Sequence, residues 1–211
     1  MQNVNDADQF ECDKLLREKI SVLNQQRIIL QENKNRISPN GEVSDKFGKL
    51  ARKSARSLNV EDIKNLHKYV EKDEDAGAFR SIPVYIQHNP ISAVVFPKPN
   101  EIPPKLTKLL GVISSSNHST LALTAYQHAE FCAIHPFRDG NGRVARLWSS
   151  FLLTQDDYPP FNMPEDSRSE YFATLAHYSI YKNLCPFARM FFRTLYDTGK
   201  RIIAKRNQGN Q

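Results

Sequence analysis

Paired cysteines, long apolar runs and a leader-like amino-terminal pattern are all lacking in this chain of 211 residues. The three cysteines, Cys12, Cys132 and Cys185, lie far apart and form no CxxC pair, which argues against a disulfide framework or a structural zinc site. No stretch approaches the roughly 20 consecutive apolar residues of a membrane helix, and the first residues lack the basic and apolar regions of a signal peptide. We therefore expect no membrane partner and a cytoplasmic location. An effector delivered to another cell would show the same pattern.

Charge of one sign is in only modest excess. Lys and Arg number 29 against 23 Asp and Glu, which gives a net charge of +6 and a pI near 9.2. A basic balance favours anionic partners. Much of the excess lies near the carboxyl end, however, and no helix-turn-helix with a basic recognition face is visible. The sequence does not favour nucleic acid as a partner.

The periodicity of apolar residues predicts a mainly α-helical domain with one β-hairpin. A helix is predicted for residues 8–33, and Pro39 and Gly41 indicate a turn after it. Further helices are predicted from Asn59 as the N-cap and from position 103 onward. We divide the chain into three parts, namely a helical, candidate regulatory extension (1–57), a catalytic domain (58–196) and a basic tail (197–211).

The hairpin is predicted from two β-type runs, at residues 82–86 and 93–96, on either side of a turn. Prolines in the flanking segments favour an exposed edge element over a buried central strand. An exposed edge can pair with an extended segment of another protein. The apolar residues Val94, Val95 and Phe96 are therefore candidates for docking a target, and packing onto the helices is the alternative.

A dense cluster of reactive residue types lies between two predicted helices, at positions 134–146. Gly140 and Gly142 flank Asn141 directly before a helix, and such a loop frees backbone N–H groups to converge on one electropositive spot. Arg143 and Arg146 follow on the first turn with i, i+3 spacing and share a face. Phosphates bind at such places, and two guanidinium groups would neutralise several of their oxygens.

Two further residues of this cluster suggest chemistry. Asp139 places a carboxylate beside the positive site, which is the pattern expected where Mg²⁺ lies between a carboxylate and bound phosphates. His135 titrates near neutrality and is the candidate general base. Each residue alone has an ordinary alternative: a helix-end histidine, a common turn or a surface arginine. The combination of all of them within twelve residues favours a functional site.

The segment HPFRDGNGRVAR, at positions 135–146, resembles the full signature of the Fic family, HPFx(D/E)GNGRxxR. The resemblance extends over about residues 58–195. It includes AGAFR at 76–80 with the hairpin, which is similar to the family's flap region, and the helical segments after the motif. It implies a Fic-type helical bundle with a hairpin flap beside the active site.

This resemblance implies a protein adenylyltransferase that moves AMP from ATP onto a Ser, Thr or Tyr hydroxyl of a target protein, with release of pyrophosphate. His135 would then deprotonate the hydroxyl, Asp139 would hold Mg²⁺, and Tyr171 would line the adenine pocket. A buried structural role is the alternative for Tyr171. The implied phosphate-binding residues are Gly140, Asn141, Gly142, Arg143 and Arg146.

Regulation and donor identity stay open at this point. Many Fic proteins carry an inhibitory helix with the pattern (S/T)xxxE(G/N), and Glu32 is followed by Asn33 but preceded by Ile28 at the Ser/Thr position. Glu32 is therefore the candidate inhibitory residue, and a separate small antitoxin-like protein is the alternative. The same fold could transfer UMP, phosphocholine or a phosphate instead. A catalytically idle binding or regulatory protein is the hypothesis from a different class.

Overall fold

The computed structural model describes residues 53–87 and 93–208. The helix predicted at 8–33, the turn at 37–42 and the candidate inhibitory Glu32 lie outside the described residues. Within the described ranges the chain is mostly helical with one small antiparallel sheet, which confirms the predicted fold class.

Six α-helices and two strands make up the described part of the chain, with short 3₁₀ turns at Ala55–Ser57, Pro99–Glu101 and Glu165–Ser167. In chain order the elements are α1 (Val60–Val70), β1 (Tyr85–Gln87), β2 (Ala93–Val95), α2 (Ile102–Ser115), α3 (Thr120–Ile134), α4 (Asn141–Gln155), α5 (Arg168–Tyr181) and α6 (Cys185–Gln208).

Helix α1 begins at the predicted N-cap. The Asn59 side chain accepts the backbone N–H of Asp62 at 3.0 Å, and the Asp62 carboxylate accepts the N–H of Asn59 at 3.0 Å. This capping box satisfies two of the amide groups that a helix start leaves without partners. The buried Ile63 and Leu66 then turn one face of α1 into the core.

Helix α3 is the central helix, because most of its side chains are buried and it packs against α2, α4, α5 and α6. It ends at His135, whose backbone adopts the left-handed conformation with φ 50° and ψ 59°. Pro136 follows and cannot continue a helix, since it has no N–H to donate. The chain therefore leaves α3 abruptly and enters a short loop before α4.

The hairpin pairs β1 with β2 in antiparallel register, with Tyr85 opposite Val95, Ile86 opposite Val94 and Gln87 opposite Ala93. All three residues of β1 are exposed, which agrees with the predicted edge element. Strand β2 contacts α5, so the hairpin lies against the helical bundle on one side only.

The last helix extends into the predicted basic tail. Helix α6 continues to Gln208, so residues 197–208 of that tail are helical. None of the helices in the described ranges has the length and apolar character needed to cross a membrane. The division of the chain into three parts stays a prediction.

Cys132, on α3, is a free and buried thiol.

A fully buried histidine lies in the middle of α3. The His128 ring contacts the Ser149 hydroxyl through Nδ1 at 2.8 Å and the Tyr171 hydroxyl through Nε2 at 2.9 Å. Burial, together with the charge of Arg146, lowers the pKa of His128 to about 3. The folded protein therefore holds this ring neutral at a pH where an unfolded chain protonates it.

We expect the free energy of unfolding to fall on acidification, because the unfolded chain takes up a proton at His128 that the folded chain refuses. One such histidine contributes up to about 1.4 kcal/mol per pH unit between roughly pH 5.5 and 4. Urea unfolding at pH 6.5, 5.5 and 4.5 measures the slope for wild type, His128→Gln and the exposed-site control His118→Gln. An unchanged slope in His128→Gln would contradict this assignment.

Candidate active site

His135 sits where α3 stops, and its left-handed backbone turns the side chain out of the helix. Its Nδ1 lies 3.3 Å from the carbonyl oxygen of Cys132. A carbonyl oxygen only accepts hydrogen bonds, so this contact places the proton of the neutral ring on Nδ1. Nε2 is then left with a lone pair, which is the atom that a general base uses.

The surroundings of His135 favour its neutral form. The ring stacks on Phe96 with 4.0 Å between the ring centroids and an angle of 18°. Burial lowers the pKa of His135 to about 4, and the nearby charge of Arg80 adds to this lowering while Asp139 opposes it. At neutral pH the imidazole is therefore uncharged and able to accept a proton.

The loop between α3 and α4 is closed by the side chain of Asn141. Its Oδ1 accepts the backbone N–H of Phe137 at 2.9 Å, and its Nδ2 donates to the carbonyl of the same residue at 2.8 Å. Phe137 itself is fully buried and anchors the loop in the core. The amide of Asn141 thus braces the loop, a role that the sequence alone did not separate from phosphate binding.

A histidine on α1 supports this loop from outside. His67 Nδ1 accepts the backbone N–H of Gly77 at 2.8 Å, so Nε2 carries the proton and donates to the carbonyl of Asp139 at 3.1 Å. The ring also stacks on Phe137, with 3.8 Å between centroids. Sequence reasoning missed His67, although its place next to Leu66 on the buried face of α1 is a usable signal.

The two glycines of the loop have different constraints. Gly140 has a φ of 75°, and a Cβ there would lie 2.8 Å from the Glu71 carboxylate and 3.1 Å from His67 Nε2. Side chains at this position are therefore excluded by both conformation and space. A Cβ on Gly142 would lie 3.4 Å from the Arg146 guanidinium and 3.6 Å from the Tyr171 hydroxyl, so its absence leaves room between these groups.

The first motif arginine is held by carboxylates. Arg143 pairs with Glu71, contacts Asp139 with 3.2 Å between Nη2 and Oδ2, and donates from Nη1 to the carbonyl of Val70 at 3.1 Å. Glu71, at the end of α1, is largely buried, and no motif points to it. Arg143 is therefore tied to α1 as well as to its own helix.

The second motif arginine has different neighbours. The Arg146 guanidinium lies 6.0 Å from the centroid of the Tyr171 ring, within the range of a cation–π contact. No ion pair among residues 53–87 and 93–208 involves Arg146. Tyr171 is almost completely buried, and burial raises its pKa well above the usual range.

One cavity of about 630 Å³ opens between the hairpin, α5 and the loop before α4. Its volume falls in the range of small-molecule sites, and its walls are mostly apolar. The structure brings six of the residues singled out in the sequence to its lining, namely Val94, Phe96, His135, Asn141, Gly142 and Tyr171.

The metal prediction rests on Asp139. Its Oδ1 accepts the N–H of Gly140 at 2.7 Å, and its side chain is 82% exposed. No group of three or more His, Cys, Asp or Glu side chains in the described part of the chain could hold a metal on its own. One exposed carboxylate beside the N-terminus of α4 nevertheless fits Mg²⁺, which takes one or two carboxylates together with substrate phosphates.

The three hairpin residues singled out in the sequence do not share one environment. Val94 and Phe96 are buried against Ala176 of α5, whereas Val95 is 78% exposed. Alternation along a strand explains the difference, since neighbouring side chains point to opposite faces. Only Val95 among them offers its side chain to another molecule, while Val94 and Phe96 pack as the alternative interpretation expected.

Comparison with known proteins places this arrangement in a family. A model of the Fic/DOC family matches residues 57–153, which include α1, the hairpin and the loop before α4. This region is a Fic domain. The match begins one residue before the predicted start of the resemblance, at 58, and it ends before the helical segments that follow the motif.

Curated relatives support the same assignment. The chain is 30% identical over 149 residues to the protein adenylyltransferase fic-1 of Caenorhabditis elegans, which covers 66% of this chain and 28% of the relative. It is 34% identical over 122 residues to the protein adenylyltransferase Fic of Drosophila melanogaster, which covers 54% of this chain and 24% of the relative. The chain thus spans about a quarter of the length of these relatives.

Solved structures share the fold. Fic-1 from C. elegans (residues 134–508) superposes with a TM-score of 0.72 at 19% identity over 95% of this chain and 74% of the other. A structure of IbpAFic2 covalently tethered to Cdc42 superposes with a TM-score of 0.60 at 17% identity over 89% of this chain and 70% of the other.

Replacing Asn141, whose side chain braces the loop of the Fic motif, should destabilise the folded protein. We expect Asn141→Asp to lower the free energy of unfolding by about 1–3 kcal/mol, because a carboxylate cannot donate to the Phe137 carbonyl and leaves it unpaired. Urea unfolding at pH 7 measures the loss. Asn117→Asp, at an exposed position between α2 and α3, serves as the control and should stay within about 0.5 kcal/mol of wild type. Equal stability of both variants would contradict the bracing role.

Proposed function

We propose that this Fic domain transfers AMP from ATP to a hydroxyl side chain of a target protein and releases pyrophosphate. The observation that carries the proposal is the state of His135: a neutral ring, with its proton directed to a backbone carbonyl and its other nitrogen free, at a cavity beside a helix N-terminus. The relatives named adenylyltransferases support the choice of donor.

The chemical step needs one proton acceptor. The target hydroxyl gives its proton to Nε2 of His135 as its oxygen attacks the α-phosphorus of ATP. A bond forms between that oxygen and phosphorus, and the bond from phosphorus to the oxygen that bridges to the β-phosphate breaks. Pyrophosphate leaves, and the AMP group stays on the target. Such transfer depends on positioning and charge neutralisation more than on covalent help from the enzyme.

The phosphate chain is assigned to the start of α4. Gly140, Asn141 and Gly142 lie at a helix N-terminus, which attracts anions. The N–H of Gly140 already donates to Asp139 Oδ1, so phosphate binding there would replace that bond. Arg146 is the candidate for the γ-phosphate, which is supported by the absence of an ion-pair partner in the described ranges. Arg143 is the candidate for a phosphate closer to the reacting atom. Tyr171 lines the cavity and is the candidate for the adenine pocket.

Asp139 would hold Mg²⁺ when nucleotide is bound. The ion would supply positive charge to neutralise the phosphates and the leaving pyrophosphate. The exposed Asp139 carboxylate is the residue of this chain that would position it, and Asp139→Ala is expected to remove both activity and the dependence on Mg²⁺.

The hairpin is the proposed docking element for the target. Residues of β1 are exposed, and an extended segment can add to an open strand edge through main-chain hydrogen bonds. Phe96 connects the hairpin to the ring of His135, so a segment bound there would lie next to the base. A neighbour in fold that is tethered to Cdc42 supports a protein as the acceptor.

The decisive test uses ATP labelled at either the α- or the γ-phosphate, with wild type, His135→Ala and the exposed-site control His118→Ala. Each protein is incubated with Mg²⁺ and cell lysate. We expect His135-dependent label to enter protein from α-labelled ATP only, with a loss of at least about a hundredfold in His135→Ala and no change in His118→Ala. Label from γ-labelled ATP that is lost in His135→Ala would mean phosphate transfer instead.

If the wild type transfers label from neither form of ATP, the result would argue against ATP as the donor. The same assay with labelled UTP or CDP-choline would then test the transfer of UMP or phosphocholine. Wild type that transfers nothing from any of these donors would support the hypothesis of an idle binding protein.

The rate should also have an unusual dependence on pH. Since the base is active when unprotonated and the pKa of His135 is lowered to about 4, we expect kcat/KM for ATP to stay level from pH 8 to about 5. Below that it should fall as the ring is protonated, with circular dichroism confirming at each pH that the protein is folded. A fall in kcat/KM centred near pH 6.5 would show that His135 titrates like an exposed histidine and would contradict this assignment.

A further inference from the structure

Arg80 is a buried arginine at the end of the segment AGAFR, and the proposed chemical step gives it no role. It is only 5% exposed, and it lies in the segment between α1 and the hairpin. No ion pair in residues 53–87 and 93–208 involves it. An arginine that is buried without a carboxylate partner has to satisfy its donors on neutral acceptors, since unpaired buried donors are costly.

The guanidinium of Arg80 donates to three backbone carbonyls from three different nitrogens. Nε donates to His135 at 2.7 Å, Nη1 donates to Ile82 at 3.0 Å, and Nη2 donates to Pro97. Ile82 precedes β1 and Pro97 follows β2, so two of these carbonyls mark the two ends of the hairpin. The third belongs to the residue that we assign as the base.

The backbone of Arg80 adds a fourth bond to the same loop. Its N–H donates to the carbonyl of Pro136 at 3.0 Å. From the opposite direction, the ring of Phe96 on the hairpin stacks on the ring of His135. The hairpin and the end of α3 are therefore connected at both the backbone and the side-chain level.

We propose that Arg80 is a positioning residue that fixes both ends of the hairpin to the backbone of His135, so that the docking element and the base form one rigid unit. The functional part of this inference rests on the proposed function. The planar guanidinium of Arg80 has fixed donor directions, so it holds the three carbonyls at fixed positions relative to one another. A target segment bound along the hairpin then lies at a fixed distance from Nε2 of His135.

Lysine cannot form the same three hydrogen bonds. Its ammonium group keeps the charge, but all of its donors are on one atom, whereas Arg80 uses three separate nitrogens to reach the three carbonyls. Arg80→Lys therefore separates a positioning role from a requirement for charge. If only the charge mattered, Arg80→Lys would behave like wild type. If Arg80 positions the hairpin, Arg80→Lys would lose the connection between the hairpin and the backbone of His135.

The test compares wild type, Arg80→Lys and the control Arg138→Lys. Arg138 lies in the loop between α3 and α4, its side chain is 74% exposed, and it forms an ion pair with the exposed Asp75 at 3.6 Å. Hydrogen–deuterium exchange measures the backbone amides of the hairpin and of the helices. We expect at least tenfold faster exchange of the Phe96 amide in Arg80→Lys, with the amides of α3 and α4 still protected, and no change in Arg138→Lys.

Activity provides the second measurement. We expect kcat for transfer to protein to fall at least tenfold in Arg80→Lys at saturating ATP, and to stay at the wild-type value in Arg138→Lys. Unchanged exchange of the hairpin amides in Arg80→Lys overturns the proposal, and so does an unchanged kcat. If wild type transfers nothing, exchange alone decides, so failure of the proposed function is distinguished from failure of this inference.

A third measurement needs no substitution at Arg80. In native-state exchange of wild type with rising urea, the amides of Phe96, Arg80 and Phe137 should open as one unit, with the same free energy and the same urea dependence. This measurement tests the proposal even if Arg80→Lys does not fold, because it uses wild type alone. A hairpin that opens at lower urea than the loop overturns the proposal.

Discussion

Two hydrogen bonds between the side-chain amide of Asn141 and the backbone of Phe137 hold the chain in the bend from α3 to α4. The rest of the site depends on this bend, because His135 lies before it and the helix N-terminus lies after it. An amide suits the position since it offers one donor and one acceptor without a charge. The buried side chain of Phe137 then anchors the bend in the hydrophobic core.

The local parts of this site follow from the sequence, and the distant parts do not. The glycine loop, the arginine pair and the N-cap at Asn59 depend on residues a few positions apart, where spacing and backbone preference decide the outcome. Contacts of Glu71 and Arg80 with the loop join residues more than 50 positions apart. No pattern along the chain sets how α1 packs against that loop.

The two motif arginines look equivalent in the sequence but differ in the fold. Arg143 already contacts two carboxylates, Glu71 and Asp139, so a phosphate that reaches it competes with bound negative charge. Arg146 faces the Tyr171 ring. The alternation of buried and exposed residues at Val94, Val95 and Phe96 is a similar case, since strand geometry separates residues that composition groups together.

The crowded position of Gly140 has a consequence for how this sequence can change over time. Any other residue there meets both an unfavourable backbone conformation and the side chains of His67 and Glu71. Changes at positions 67 and 71 would make room for a side chain at position 140, but the left-handed backbone conformation would still disfavour it. The space available at position 140 thus depends on two residues about 70 positions earlier, whereas the backbone favours glycine whatever stands there.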